Sequence, residues 1–122
     1  MAKRNRRTSK KFRENHPREV GKFYRVSDSK GGHPARVYKS NPGEDTYLIQ
    51  RFSTKPRKDR KILKHSIDPD ETDKKKKSWL VKKPAAIGFD DMTYEEKYKK
   101  YRVHEEDMET IKKYQSEKIK KR

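Results

Sequence analysis

Three β-patterned blocks, separated by segments that can only turn, limit the possible folds of this chain more than any other feature. Residues 22–26, Lys-Phe-Tyr-Arg-Val, alternate so that Phe23 and Arg25 face one side and Tyr24 and Val26 the other. The next segment, residues 27–32, ends in Gly31-Gly32, a pair that takes positive φ without steric penalty and so predicts a turn. A second block follows at 35–39 around Val37, and Asn41-Pro42-Gly43 supplies the next turn. Residues 46–52, Thr-Tyr-Leu-Ile-Gln-Arg-Phe, are a β-branched and aromatic run of ordinary strand length. Three such strands with short connections predict an antiparallel meander. Two shorter blocks, 78–81 and 85–89, flank Pro84, which lacks an N–H and so predicts a bend or an edge strand. Five short strands in so small a chain predict a partly open barrel rather than a sandwich.

After Asp90 the hydrophobic period changes from two to that of a helix. Thr93 stands three residues before Glu96, the spacing of a capping box, and Tyr94, Tyr98 and Tyr101 then fall on one helical face. The three tyrosines read first as packing against the barrel, with base stacking as the alternative. A second helix is expected from Glu105 to about Lys120, with Met108, Ile111 and Tyr114 on one stripe. Acidic residues at its start and basic residues at its end suit the helix dipole. The fold class is therefore α+β, with C-terminal helices after the strands.

Charge decides the rest of the organisation. With only 27% apolar residues in 122, the chain supports one small domain, and a large enclosed active site is not expected. Its 36 Lys and Arg against 19 Asp and Glu leave a formal charge of +17, which repels itself unless a polyanion neutralises it. Residues 1–20 carry eight basic and two acidic groups, the composition of a disordered basic arm, with Arg4, Arg6, Arg7, Lys10 and Lys11 as its candidate phosphate contacts. A basic loop is expected at 54–77, offering Arg57, Lys58, Arg60, Lys61, Lys64 and His65, with Arg51 just before it on the strand. This divides the chain into an arm at 1–20, a barrel at 21–92 and a helical segment at 93–122. No apolar run approaches the ~20 residues that cross a bilayer, and the N-terminus lacks the apolar segment of a signal peptide, so no membrane partner and a cytoplasmic setting are expected. There is no cysteine, and the four histidines show no ligand spacing, so neither a metal nor a cofactor is expected.

The words "SKGGHPARVYK", a strand ending in Ser53-Thr54-Lys55, and later "KKSWLVKKP" resemble the small-barrel toxins of the MazF and PemK group, especially ToxN-type endoribonucleases. The similarity runs over residues 22–89. It implies an SH3-like barrel that cleaves single-stranded RNA and is held in check by an RNA or protein antitoxin. Residue by residue, Lys30 matches the family's basic position near the first strand-to-strand turn, and Ser53, Thr54 and Lys55 match its Ser/Thr-Lys cluster at a strand end. The segment from 55 to 77 is longer and more basic than the family pattern, and the arm at 1–20 has no counterpart in it.

The chemistry of metal-free RNA cleavage needs the 2′-hydroxyl deprotonated, the leaving 5′-oxygen protonated, and the charge on the phosphorane met by fixed cations. Lys30, His33, Ser53, Thr54 and Lys55 are the candidate catalytic groups; a hydroxyl pair beside a lysine suits a phosphate oxygen. On spacing alone, Ser53-Thr54-Lys55 equally describes a strand end running into a solvated loop. His33, between two glycines and Pro34, and His65, in the turn-like "KHSIDP", are of the residue type most used as general acid or base, yet each also reads as a surface or turn residue. Two function classes therefore stand side by side: an RNA-cleaving toxin, and a non-catalytic RNA-binding or ribosome-associated protein whose basic arm and loop grip phosphates.

Overall fold

In a computed structural model the chain is described at residues 18–28, 31–40, 46–73 and 76–116. Strands β1 (Phe23–Asp28), β2 (Gly31–Ser40) and β3 (Tyr47–Ser53) form the expected antiparallel meander. Then come β4 (Arg60–Ile62), β5 (Trp79–Val81), β6 (Ala85–Ile87) and β7 (Met92–Thr93), followed by helix α1 (Met108–Gln115). The fold is α+β: a seven-stranded, mostly antiparallel sheet in the order β4-β5-β3-β2-β1-β7, with β6 also on β3. It is an open sheet, with β4 and β7 at its edges. Each of the five expected blocks contains a strand, but the sheet has seven strands where five were expected, and it does not close into a barrel. β4 and β7, at three and two residues, are too short to leave a period in the sequence.

Both β5 and β6 pair along the same edge of β3, β5 with its C-terminal end and β6 with its N-terminal half. Between the pairs Phe52↔Leu80 and Ile49↔Ala85 the returning chain spends four residues where β3 spends two. β5 and β6 are thus one strand broken by a wide bulge, and Pro84, unable to donate to a ladder, sits in the break. A second irregularity, between Val37 and Lys39 of β2, lets Tyr38 bulge out of the register with β3.

Strand alternation sends two sets of side chains to opposite faces of the sheet. On one face lie Tyr24, Val26, Ala35, Val37, Tyr47 and Ile49, closed over by Ala85, Ile87, Phe89 and Met92. Arg18 seals this side: its guanidinium stacks on the Phe89 ring at 3.9 Å and donates to the Phe89 and Met92 carbonyls at 3.3 and 2.7 Å. The arm expected at 1–20 therefore joins the fold by its last residues; positions 1–17 lie outside the described residues. On the other face Phe23, Phe52 and Leu80 pack with Leu63 and Ile67 from the β4–β5 loop, and with Tyr98 and Ile111 from the C-terminal segment.

The C-terminal segment departs from the sequence expectation at its start and follows it at its end. Thr93 is not a helix cap but the last residue of β7, paired with Arg25 of β1. Only a single 3₁₀ turn, Glu96–Tyr98, forms where a tyrosine-faced helix was expected, because sheet pairing claims the backbone that would have begun the helix. Tyr98 is buried and Tyr101 half-buried, while Tyr94 stays exposed. Further on, a 3₁₀ turn, Glu105–Asp107, leads into α1, whose Ile111 is fully buried between the partly buried Met108 and Tyr114. The stripe is as expected; residues 117–122 lie outside the described residues.

Two polar groups fix α1 on the sheet. Gln50, buried in the middle of β3, donates from Nε2 to the Ile111 carbonyl at 2.9 Å, and its Oε1 accepts from Gln115 Nε2 at 3.2 Å. Asp107, 2% exposed, accepts from the backbone N–H groups of Lys64 and His65 at 2.7 and 3.0 Å. One ties the helix to the sheet, the other to the loop that follows β4. Among the described residues no helix is long and apolar enough to cross a membrane.

Candidate nucleic-acid interface

At the end of β3 the chain leaves the sheet, turns through residues 54–59 and returns as β4. The turn stands beside the start of β2 and beneath the segment after β7. This leaves an open cleft of about 1040 Å³ between the strand ends and the loops. Its floor is apolar and belongs to the second core: Phe52, Ile67, Tyr98 and Tyr101. Burial holds the phenols of Tyr98 and Tyr101 above their ordinary range, and the carboxylates of Asp68 and Glu71 push Tyr101 further the same way.

Basic groups come from β3, the turn after it and the start of β4: Arg51, Lys55, Arg57 and Arg60, with Thr54 among them. Arg60 is the best held. Its Nη1 donates to Ser53 Oγ at 2.7 Å and to the Lys55 carbonyl at 2.9 Å, and its side chain is 14% exposed. Ser53 Oγ also accepts from the Lys55 N–H at 3.2 Å. Ser53 is thus a buried peg that shapes the turn and aims Arg60, whereas Thr54, Lys55 and Arg57 are exposed. Asp59, whose carboxylate lies 4.0 Å from Arg60 Nε, is the one acidic group within this stretch.

His33 enters the cleft from β2, two residues before Ala35 pairs with Arg51. Gly32 beside it is required by a close approach: a Cβ there would lie 2.5 Å from Arg25 Cγ and Cδ. Arg25, pinned across the glycine, reaches Glu95 at 3.0 Å and links β1 to the segment after β7.

Acidic groups enter from a third direction. Ser66, Asp68 and Glu71 line the cleft from the β4–β5 loop, and Lys97 from the 3₁₀ turn. The loop is rigidified by local bonds: the Asp68 N–H to Ser66 Oγ at 3.1 Å, Asp70 N–H to Asp68 Oδ1 at 2.9 Å, and Ile67 N–H to the buried Ser78 Oγ at 2.9 Å. The Arg102 N–H donates to the Ile67 carbonyl at 2.9 Å, and Lys100 pairs with Asp70, which raises the lysine's pKa through that hydrogen bond.

Of the residues singled out in the sequence, the cleft gathers His33, Arg51, Ser53, Thr54, Lys55, Arg57 and Arg60. Lys58, Lys61, Lys64 and His65 do not line it. Lys30 and the arm residues Arg4, Arg6, Arg7, Lys10 and Lys11 lie outside the described residues. Tyr98 and Tyr101, read in the sequence as packing with base stacking as the alternative, also line the cleft, whereas Asp68 and Glu71 were missed as cleft residues. Their only signal was the turn chemistry of "SIDPD", which marks a structured loop but not where it folds to.

His65 belongs to a second cluster. Its ring stacks on that of His104 at 3.7 Å between centroids, and its Nε2 lies 2.6 Å from Glu106 Oε1. That hydrogen bond, more than any charge nearby, draws the Glu106 carboxyl below its ordinary range. Histidines scattered along the sequence are therefore neighbours in space.

Comparison with protein-family models, with curated proteins and with solved structures finds no match to this chain.

Proposed function

We propose that the protein binds single-stranded RNA in this cleft. The observation that carries the reading is the convergence of Arg51, Lys55, Arg57, Arg60 and Thr54 along one open groove of a chain with formal charge +17. Guanidinium and ammonium groups neutralise phosphates, and the groove is open enough to follow a backbone rather than enclose a small molecule. Asp68 and Glu71, from the β4–β5 loop, are hydrogen-bond acceptors suited to the amino and imino edges of unpaired bases, and Tyr101 in the same lining is an aromatic ring for stacking. A duplex hides those edges, which favours a single strand.

Cleavage is the second reading, favoured by one observation: His33 lines the same groove as Thr54 and Lys55. His33 would take the 2′-hydroxyl proton as the 2′-oxygen bonds to phosphorus, Lys55 would face the phosphorane charge, and the 5′-oxygen would leave with a proton from water of the open groove, giving a 2′,3′-cyclic phosphate. In this reading the protein is a metal-independent endoribonuclease, the toxin of a pair with an RNA or protein antitoxin. The meander with a strand returning along β3 is what supports an SH3-like barrel here, and a cytoplasmic setting goes with both readings.

One experiment separates them. Fluorescence anisotropy of a labelled single-stranded RNA, in chelator and over a salt series, is expected to give saturable binding whose log affinity falls linearly with log salt. The same mixtures run on a denaturing gel report cutting. Cutting that His33→Ala abolishes while affinity is kept supports the toxin reading; intact RNA throughout leaves the binder. Absence of saturable binding would overturn both.

A further inference from the structure

Two imidazoles and a carboxylate, brought from separate parts of the chain to one exposed corner, form a donor set that RNA binding does not use. One nitrogen of His65, one of His104 and a carboxylate oxygen of Glu106 all lie within 4.8 Å of one another. His65 comes from the loop after β4; His104 and Glu106 come from the start of the 3₁₀ turn that leads into α1. None of the three lines the cleft, although the hollow beside His65 and His104 shares Ser66, Ile67, Asp68 and Glu71 with it.

We propose that His65, His104 and Glu106 bind a divalent transition metal of the zinc class, which clips α1 to the β4–β5 loop. Neutral imidazole and carboxylate are the ligands that borderline divalent ions prefer, and two histidines with one glutamate are a known zinc donor set.

The backbone is already in place for the clip. Asp107, buried next to Glu106, accepts from the N–H groups of Lys64 and His65, so the chain on either side of the site is fixed before any ion arrives. Only side-chain torsions have to change. Ligand bonds of about 2.0–2.2 Å in tetrahedral geometry put donor atoms roughly 3.4 Å apart. The His65 Nε2 to Glu106 Oε1 pair, at 2.6 Å, opens, and the widest pair closes by up to about 1.4 Å. The stacked rings, now inclined by 20°, splay so that their lone pairs converge. His104 and Glu106 are exposed and His65 is half-exposed, so nothing packed resists these rotations. His104 Nδ1 at present accepts from the Glu106 N–H at 3.1 Å; coordination takes over that ring's role in fixing the helix start.

Three protein ligands leave a fourth position to water. Lys64 and Arg102 stand nearby as opposing positive charge, and Asp68 and Glu71 line the adjoining hollow as compensation.

The test is a calorimetric titration of the chelator-treated full chain with zinc chloride, paired with the visible spectrum of the cobalt(II) form. The expected result is one saturable ion per chain, intense cobalt bands of tetrahedral type, and a higher melting temperature that grows with free zinc. His65→Ala, His104→Ala and Glu106→Gln should each weaken zinc by about a hundredfold or more, since even outer partners of a metal site are worth roughly 10–100-fold. His33→Ala should leave it unchanged. A melting curve and circular dichroism of each variant without metal separate a lost ligand from a lost fold. No saturable heat, or affinity equal to that of the unaltered chain in a folded His65→Ala or His104→Ala variant, would overturn the proposal.

Discussion

The two faces of the sheet are built on different plans. The core containing Val37 and Ile49 is made of strand residues and the short turn that carries Phe89, with Arg18 laid across its rim. The core containing Phe52 and Leu80 has only its base in the strands; its upper layer, Leu63, Ile67, Tyr98 and Ile111, comes from loops and α1. The first face is self-sufficient packing. The second is packing that doubles as the floor of a cleft, held in place by two buried polar residues, Gln50 and Asp107, rather than by a ladder. The lesson is that in a chain this polar the site is assembled where secondary structure is thinnest, and its rigidity comes from a few buried hydrogen bonds.

That contrast can be broken by paired truncations, and these should give the largest effects. Ile49→Ala on the first face and Ile111→Ala on the second each leave a cavity costing about 2–5 kcal/mol. The distribution should differ. Ile49→Ala lowers protection from hydrogen exchange across β1, β2 and β3 together, whereas Ile111→Ala strips it from α1 and residues 60–68 and spares the meander. Uniform loss in both variants would mean that the faces are one cooperative unit.

Asp107→Ala comes next. It leaves the N–H groups of Lys64 and His65 without their carboxylate, and hydrogen bonds to charged groups are worth about 1.5–3 kcal/mol. Chemical denaturation should register that loss. A change below a few tenths would mean that water replaces Asp107 and that the loop is not held from α1.

The smallest effect is alkaline. Burial raises the phenol pKa values of Tyr24 on the first face and of Tyr98 and Tyr101 on the second. A raised folded value means that the neutral phenol is the form the fold favours. Its contribution is whole below the ordinary phenol value of about 10 and is lost as pH climbs through the higher folded value. Melting temperature should therefore fall as pH climbs past the ordinary phenol value of about 10, and Tyr98→Phe should flatten that fall, because a phenylalanine has nothing to ionise. An unchanged slope in Tyr98→Phe would place the alkaline loss elsewhere.

The meander was legible because the blocks at 22–26, 35–39 and 46–52 leave a period of two, although Gly31-Gly32, read as a turn, pair with Asp28 and Ser27 inside a ten-residue β2. β4 and β7 were not, since three or two residues carry no period, and β7 removed the backbone on which the Thr93 capping pattern depended. Of the site, the basic half was legible: Arg51 through Arg60 are contiguous with a strand end, so their common location follows from local chain geometry. The acidic half and the histidine pair were not. Asp68, Glu71, His65 and His104 meet their partners only because Asp107 and the Ile67 carbonyl draw the loop and the C-terminal segment together, contacts that span some forty residues and have no local signature. Gln50 is the plainest case, a polar residue in a strand pattern whose role became visible only with α1 lying over it.

The central claim is that RNA binds at the cleft and not to positive charge at large. The direct measurement is anisotropy of a labelled single-stranded RNA against two charge-matched double reversals. One is Lys55→Glu with Arg57→Glu in the cleft, and the other is Lys112→Glu with Lys113→Glu on α1, outside it. The account predicts that the cleft pair loses at least about tenfold in affinity and about two units of salt slope, while the helix pair stays within about threefold of the unaltered chain. Equal losses in the two variants would contradict it, because binding would then follow net charge wherever it sits.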